Sequence, residues 1–169
     1  MMVVIRQTKT NPYFSVINRK NMNVRKASLN DHAKIVEFQQ AMAWETEGIK
    51  LHLDSLEAGV KAVLEDPNKG DYYVAEINGE VVASLLTTFE WSDWRNGTIL
   101  WIQSVYVVPM YRRRGVYRKM YSHLKTAVLQ TENLAGIRLY ADKKNETAHQ
   151  TYENLGMNQD HYITFEWLK

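Results

Sequence analysis

Cysteine is absent from the chain, which excludes disulfides, thiolate nucleophiles and thiolate zinc clusters. The five histidines, His32, His52, His123, His149 and His161, are scattered. No two share the spacing of a helical metal site, so no metal is expected. No apolar run approaches the roughly 20 residues that span a bilayer. The opening Met1-Met2-Val3-Val4-Ile5-Arg6 is too short in its apolar run for a signal peptide. A soluble, cytoplasmic protein with no membrane partner is the expectation. An excess of one charge is also missing, since 21 Lys plus Arg face 19 Asp plus Glu, for a formal charge of +2. That balance lacks the broad electrostatic footprint of a nucleic-acid binder, so no nucleic-acid partner is expected and any anion site is local.

What is present suffices for one filled core. A chain of 169 residues, 45% of them hydrophobic, is too short for two ordinary domains. Residues 1–21 show no lasting periodicity and read as an N-terminal extension or loosely attached arm, ahead of a single domain over 22–169. From Met22 the chain alternates between strand and helix periods. Residues 22–27 read as a strand, and Ser28-Leu29-Asn30-Asp31 supplies N-cap chemistry for a helix that turns Ile35, Val36, Phe38 and Met42 inward. A second helix is expected over 54–64, opened by an Asp54-x-x-Glu57 capping box and stopped by Asp66-Pro67. Strands over 71–77 and 80–90 flank Asn78-Gly79, the strongest short hairpin signal.

A third long strand over 97–108 ends at Pro109. Tyr117, Met120, Tyr121, Leu124, Ala127 and Val128 then fall on one helix face. A short strand over 137–141, a helix over 145–155 closed by Gly156, and a last strand over 162–168 complete the order β-α-α-β-β-β-α-β-α-β. That order makes an α/β (α+β) protein.

The chemistry is carried where a strand ending Val105-Tyr106-Val107-Val108-Pro109 runs into Arg112-Arg113-Arg114-Gly115-Val116-Tyr117 and a helix. Such a turn presents backbone N–H groups and a positive dipole end to an anion, and a pyrophosphate suits it. It lacks both the Gly-Lys-Ser/Thr of a P-loop and the three glycines of a dinucleotide fingerprint.

With these residues in view the chain resembles the GNAT superfamily of N-acetyltransferases, whose central motif is a strand followed by Arg/Gln-x-x-Gly-x-Gly/Ala opening a helix. Arg112 to Val116 match, and Tyr117 departs at the last position. A second segment, Asn145-Glu-Thr-Ala148-His-Gln-Thr-Tyr152-Glu-Asn-Leu-Gly156-Met157, resembles the superfamily's Asn-x-x-Ala-x-x-x-Tyr/Phe-x-x-x-Gly-Phe. The resemblance implies a central mixed, mostly antiparallel sheet flanked by helices, with acetyl-CoA as cosubstrate. It implies that Arg112, Arg113, Arg114, Gly115, Val116, Tyr117 and Arg118 surround the pyrophosphate, and that the backbone of Val105, Tyr106 and Val107 pairs with pantetheine. Asn145 and Tyr152 come from the second motif. Tyr117 keeps its N–H, so phosphate binding survives if the ring points away from the cosubstrate.

Acetyl transfer from a thioester to an amine needs a deprotonated amine, donors for the oxyanion and an acid for the departing thiolate. Tyr152 is the candidate acid, because a phenol of pKa about 10 holds its proton at neutral pH. The ordinary alternative is a core aromatic between Ala148 and Leu155. Where many relatives carry a glutamate base, this chain has Gln103. Glu90 is the first candidate base, Glu45 and Glu47 come next, and removal of the proton by bulk water is the third option. For the acceptor, Trp44-Glu45-Thr46-Glu47 and Glu90-Trp91-Ser92-Asp93-Trp94 set carboxylates beside indoles, which suits a small cationic amine. Glu45, Glu47, Glu90 and Trp91 are therefore the candidate substrate residues. A catalytically silent acetyl-CoA sensor is the alternative reading, and a homodimer is compatible with both.

Overall fold

The computed structural model describes residues 21–160 and 163–167. Strand β1 (Met22–Lys26) leads into a 3-10 turn, Leu29–Asp31, and helix α1 (His32–Glu47). The Asp31 carboxylate accepts from the Ser28 backbone N–H at 2.8 Å and pairs with Arg25. That guanidinium holds the Asp31 carboxyl below the ordinary carboxylate range. The expected helix start is thus present, built around Asp31 rather than around a serine side chain. Helix α2 (Leu53–Glu65) is capped by His52 without a side-chain bond. Asp54 lies inside the first turn, so the capping box expected from Asp54 and Glu57 does not form there.

Strands β2 (Asp71–Ile77) and β3 (Glu80–Ser92) pair antiparallel through a two-residue turn with Asn78 at φ 54° and Gly79 at φ 83°. Those left-handed values explain why asparagine and glycine stand there. Strand β4 (Gly97–Val107) returns antiparallel to β3, and helix α3 (Val116–Gln130) crosses over to β5 (Leu134–Leu139), which runs parallel to β4. Helix α4 (Glu146–Glu153) follows. The sheet order is β1-β2-β3-β4-β5, mixed and mostly antiparallel as expected.

The two faces of the sheet are packed differently. Val105 and Val107 from β4 join Val116, Tyr117, Met120, Tyr121 and Leu124 of α3 and Ala148 and Tyr152 of α4 in one core. On the other face Tyr106 packs with Phe38 and Met42 of α1, while Ile35, Val36 and Val60 from α1 and α2 cover Tyr72, Val74 and Leu86. Two expectations shift. The strand placed at 137–141 begins earlier, at Leu134, and ends at Leu139. The strand expected over 162–168 is not found in its described part, since residues 163–167 belong to no helix or strand, and its ends lie outside the described residues. The arm read at residues 1–21 lies, but for Asn21, outside them as well.

Candidate active site

The site is set up by an irregularity in β4. Ser84 of β3 pairs with Tyr106 and Leu86 with Gln103, so two residues of β4, Ser104 and Val105, stand opposite Leu85 alone. Ser104 absorbs the extra residue at φ 49°. A bulge of this kind bends a strand and re-aims its backbone. On the other edge, the β4–β5 register ends at Ile102 and Leu139. Among the described residues, 103–107 therefore have a β3 neighbour on one side and no β5 neighbour on the other. The exposed backbone edge includes Val105, Tyr106 and Val107, whose side chains are buried.

Beyond this edge lie a 3-10 turn, Pro109–Tyr111, and the basic turn. Arg113 takes φ 61° and Gly115 φ 84°, a succession that gathers backbone N–H groups at the start of α3. A Cβ built on Gly115 meets nothing within 4 Å, so the cradle is open on that side. Arg113 and Arg118 are exposed and Arg114 is half-buried. Val116 points into the core, and so does Tyr117, which is 6% exposed and packs on Tyr121. The tyrosine that departs from the motif therefore turns its ring inward and leaves its N–H at the turn.

Arg112 is placed differently from its expected neighbours on the phosphate. Its Nε donates to the Val107 carbonyl at 2.7 Å, its Nη2 donates to Glu45 Oε2 at 2.7 Å, and its guanidinium lies over the Tyr106 ring. The Tyr106 hydroxyl donates to Glu45 Oε1 at 3.0 Å. Burial and the bond to Glu45 push the Tyr106 phenol up to about 12. Residues assigned from sequence to two different ligands, Arg112 and Glu45, are thus bound to each other. The Arg112 side chain ties the end of β4 to the end of α1, and its backbone N–H donates to the Pro109 carbonyl at 3.2 Å.

Glu90 is also engaged. Trp101 Nε1 donates to its Oε2 at 2.6 Å, and Arg138 of β5 donates to its Oε1. Glu90 pairs with Ile99, five residues along β3 from the bulge position Leu85, or roughly 17 Å. Each Glu90 oxygen thus already accepts one hydrogen bond, from Trp101 or from Arg138. The two segments expected to share one amine pocket are separated as well. Glu45 is anchored at Tyr106 and Glu90 at Ile99, roughly 24 Å apart along β4. Glu47, Trp91, Trp94 and Trp44 are exposed. Asn145 serves as the N-cap of α4, its side-chain oxygen accepting from the Ala148 N–H at 3.1 Å.

Tyr152 is 6% exposed and meets the Tyr117 ring edge to face. Neither hydroxyl has a hydrogen-bond partner among the described residues. Burial raises both phenols well above the ordinary value, so both stay protonated. Both rings belong to the same core as Val105 and Val107 of β4. Sequence reasoning missed the patch on the α1 face of β3, β4 and β5, where Gln103 donates to the Thr88 hydroxyl at 2.6 Å beside Trp101 and Arg138. The signal was a charged residue, Arg138, inside an otherwise apolar strand. Among the described residues no group of side chains could hold a metal ion, and no helix is long and apolar enough to cross a membrane.

Comparison with known proteins accords with this geometry. Residues 29–157 match the acetyltransferase (GNAT) family. A possible acetyltransferase from Clostridium difficile 630 is 43% identical and superposes with a TM-score of 0.82, over 88% of this chain and 97% of that one. Two more distant structures show the same fold. A predicted acetyltransferase from Clostridium acetobutylicum, solved with acetyl-CoA, is 23% identical at a TM-score of 0.63, over 88% of this chain and 94% of that one. An aminoglycoside acetyltransferase from an uncultured soil metagenomic sample, solved with sisomicin, is 14% identical at a TM-score of 0.72, over 89% of this chain and 97% of that one. No curated protein matches. The chain belongs to the GNAT acetyltransferase family. It is an acyltransferase of that family, for which acetyl-CoA is the cosubstrate.

Proposed function

We propose that this acetyltransferase moves the acetyl group of acetyl-CoA to the primary amine of a small cytoplasmic metabolite, by direct attack with both substrates bound. The observation that carries the reading is the opening of the sheet. The bulge at Ser104 and Val105 and the end of β5 at Leu139 leave a backbone edge that leads to the Gly115 turn. In this reading the N–H groups around Arg113 to Tyr117 hold the pyrophosphate, with Arg113, Arg114 and Arg118 adding charge. The backbone of Val105, Tyr106 and Val107 pairs with the pantetheine amides. A backbone N–H near Val105 faces the developing oxyanion, and Tyr152 passes its proton to the leaving sulfur.

The acceptor lies over the half-buried patch of Thr88, Gln103, Trp101 and Arg138. A strongly cationic acceptor is not supported by Glu45 and Glu90, since Arg112 and Arg138 already neutralise them. With those carboxylates engaged, the amine gives up its proton to solvent water. Glu47, exposed at the end of α1, is the remaining acidic group that an acceptor could meet.

A thiol-release assay with acetyl-CoA across a panel of amines, preceded by a thermal-shift scan with acetyl-CoA and CoA, tests the proposal. Stabilisation by acetyl-CoA and turnover of one amine class are expected. Stabilisation without turnover of any amine would favour a sensor, and no stabilisation would remove the phosphate turn on which the reading depends. Tyr152→Phe should lower turnover by roughly 100-fold or more while leaving acetyl-CoA affinity close to wild type.

A further inference from the structure

We propose that Arg112 is a positioning residue for the cosubstrate: its side chain holds the backbone edge of β4 against which pantetheine lies, and it takes no phosphate oxygen. The inference rests on the reading that Val105, Tyr106 and Val107 pair with the pantetheine amides. Three contacts carry it. The Arg112 side chain is buried, its Nε donates to the Val107 carbonyl at 2.7 Å, its Nη2 donates to Glu45 Oε2 at 2.7 Å, and its guanidinium lies 5.4 Å from the Tyr106 ring centroid. The backbone N–H of Arg112 is used as well, on the Pro109 carbonyl. A buried cation is held by its partners, and parting it from Glu45 leaves two charges uncompensated. Arg113 and Arg118 are exposed and Arg114 is half-buried, so charge for the phosphates comes from them.

The carbonyl that Arg112 occupies belongs to the open edge. The Val108 N–H donates to the Val82 carbonyl at 3.0 Å, toward β3. In an antiparallel ladder the groups of successive residues face alternate sides, so the N–H and carbonyl of Val107, opposite Ala83, face away from β3. No β5 residue pairs there among the described residues, and Arg112 supplies the donor that a neighbouring strand would have given. One edge group of Val107 is thereby spent, and its N–H is the one that this end of the edge can offer to a ligand. The same network fixes the turn of the strand about its axis. The Tyr106 hydroxyl donates to Glu45 Oε1 at 3.0 Å, and the Tyr106 ring stands 5.2 Å from that of Phe38. Gripping Tyr106 from the α1 side keeps the adjoining Val107 groups aimed at the edge.

The test measures two ligands by calorimetry on the full chain: acetyl-CoA, and 3′-phospho-ADP, the nucleotide half of CoA, which has the pyrophosphate but no pantetheine. Arg112→Lys keeps the charge and loses the planar fork that serves Val107 and Glu45 together. Its acetyl-CoA Kd should rise about 10-fold, the effect of one or two hydrogen bonds, while its 3′-phospho-ADP Kd stays within about twofold. With an amine turned over in the panel, kcat should fall about 10-fold as well, because the thioester is carried by the same edge. Glu45→Gln keeps a hydrogen-bonding amide beside Arg112 and Tyr106, and so guards against a first variant that does not fold. It should show the same division between the two ligands at about two- to fivefold.

Equal losses for both ligands would overturn the proposal, returning the Arg112 side chain to the phosphates or to the fold as a whole. Wild-type acetyl-CoA affinity and turnover in both variants would overturn it too, leaving the network a tie between β4 and α1. If Arg112→Lys does not fold, Glu45→Gln decides alone by the same division. A wild-type chain that binds acetyl-CoA no more tightly than 3′-phospho-ADP would take pantetheine off the edge, and the proposal with it, while the phosphate turn stands. A wild-type preference for acetyl-CoA beside undivided losses in the variants would leave the pairing with pantetheine standing and overturn only the part given to Arg112.

Discussion

The cosubstrate half of the site and the segments first read as the acceptor half differ in how their polar groups are satisfied. In the core under the sheet, the Tyr117 and Tyr152 hydroxyls have no hydrogen-bond partner among the described residues, and along the opened strand residues 103–107 have no β5 neighbour among them. At the supposed acceptor carboxylates every oxygen is occupied, Glu45 by Tyr106 and Arg112 and Glu90 by Trp101 and Arg138. Polar groups leave water only when something replaces it. A group left unmatched inside a folded chain points to a ligand, and a fully matched ion pair points to architecture. The same residue types carry opposite meanings in the two regions.

The comparison is broken most directly at the turn. Gly115→Glu should nearly abolish acetyl-CoA binding. A carboxylate about 4 Å from a phosphate near the protein surface meets about 4 kcal/mol of repulsion, roughly a thousandfold in affinity. Gly115→Ala is the control, since its Cβ has open space and adds only the strain of φ 84°. Calorimetry with acetyl-CoA on the glutamate variant checks this. Normal binding there would move the phosphate away from this turn.

The next effect belongs to the matched half. Glu45→Ala strands the buried Arg112 guanidinium, and the loss should be about 1–3 kcal/mol of stability, reduced from the fully buried case because Glu45 is partly exposed. The acceptor KM should stay near wild type. A raised acceptor KM with unchanged urea stability would return Glu45 to the substrate. Asn145→Ala should cost about 1 kcal/mol through loss of the cap on α4, with acetyl-CoA affinity little changed. A large drop in affinity at unchanged stability would give the asparagine a direct part in binding.

Much of the framework was legible because it rests on local signals. Asn78-Gly79 specified a turn that only left-handed residues make easily, and the apolar spacing from Tyr117 onward marked the buried face of α3. The Gly115 turn was legible from strand, glycine and helix in succession. What escaped depends on contacts distant in sequence. Nothing near Glu45 signals a partner 67 residues away, and Glu90 and Arg138 are separated by 48. The bulge at Ser104 was hidden because serine there carries none of the glycine that commonly marks a positive φ. The alternation of Ile163, Phe165 and Trp167 read as a strand, yet alternation states which side chains would share a face, not whether a neighbouring strand is there to pair.

The smallest expected effect divides the two regions most sharply. Replacing Glu90 with Gln removes a half-exposed charge that is bound by Arg138 and Trp101, and stability should change by less than about 1 kcal/mol. If Glu90 took a proton from the amine, its loss would move the rise of turnover to higher pH, because more of the amine would have to be neutral in solution before attack. In the structure it stands about five residues of strand from the bulge, with each oxygen already accepting one hydrogen bond. The pH profile of turnover for Glu90→Gln should therefore overlay that of the wild type. Such an overlay would leave solvent as the acceptor of the amine proton, and would separate a catalytic region defined by backbone and buried hydroxyls from a charged region that holds β3, β4 and β5 in place. A shift of the profile to higher pH would join the two regions and make the ion pair with Arg138 a resting state from which the base is released.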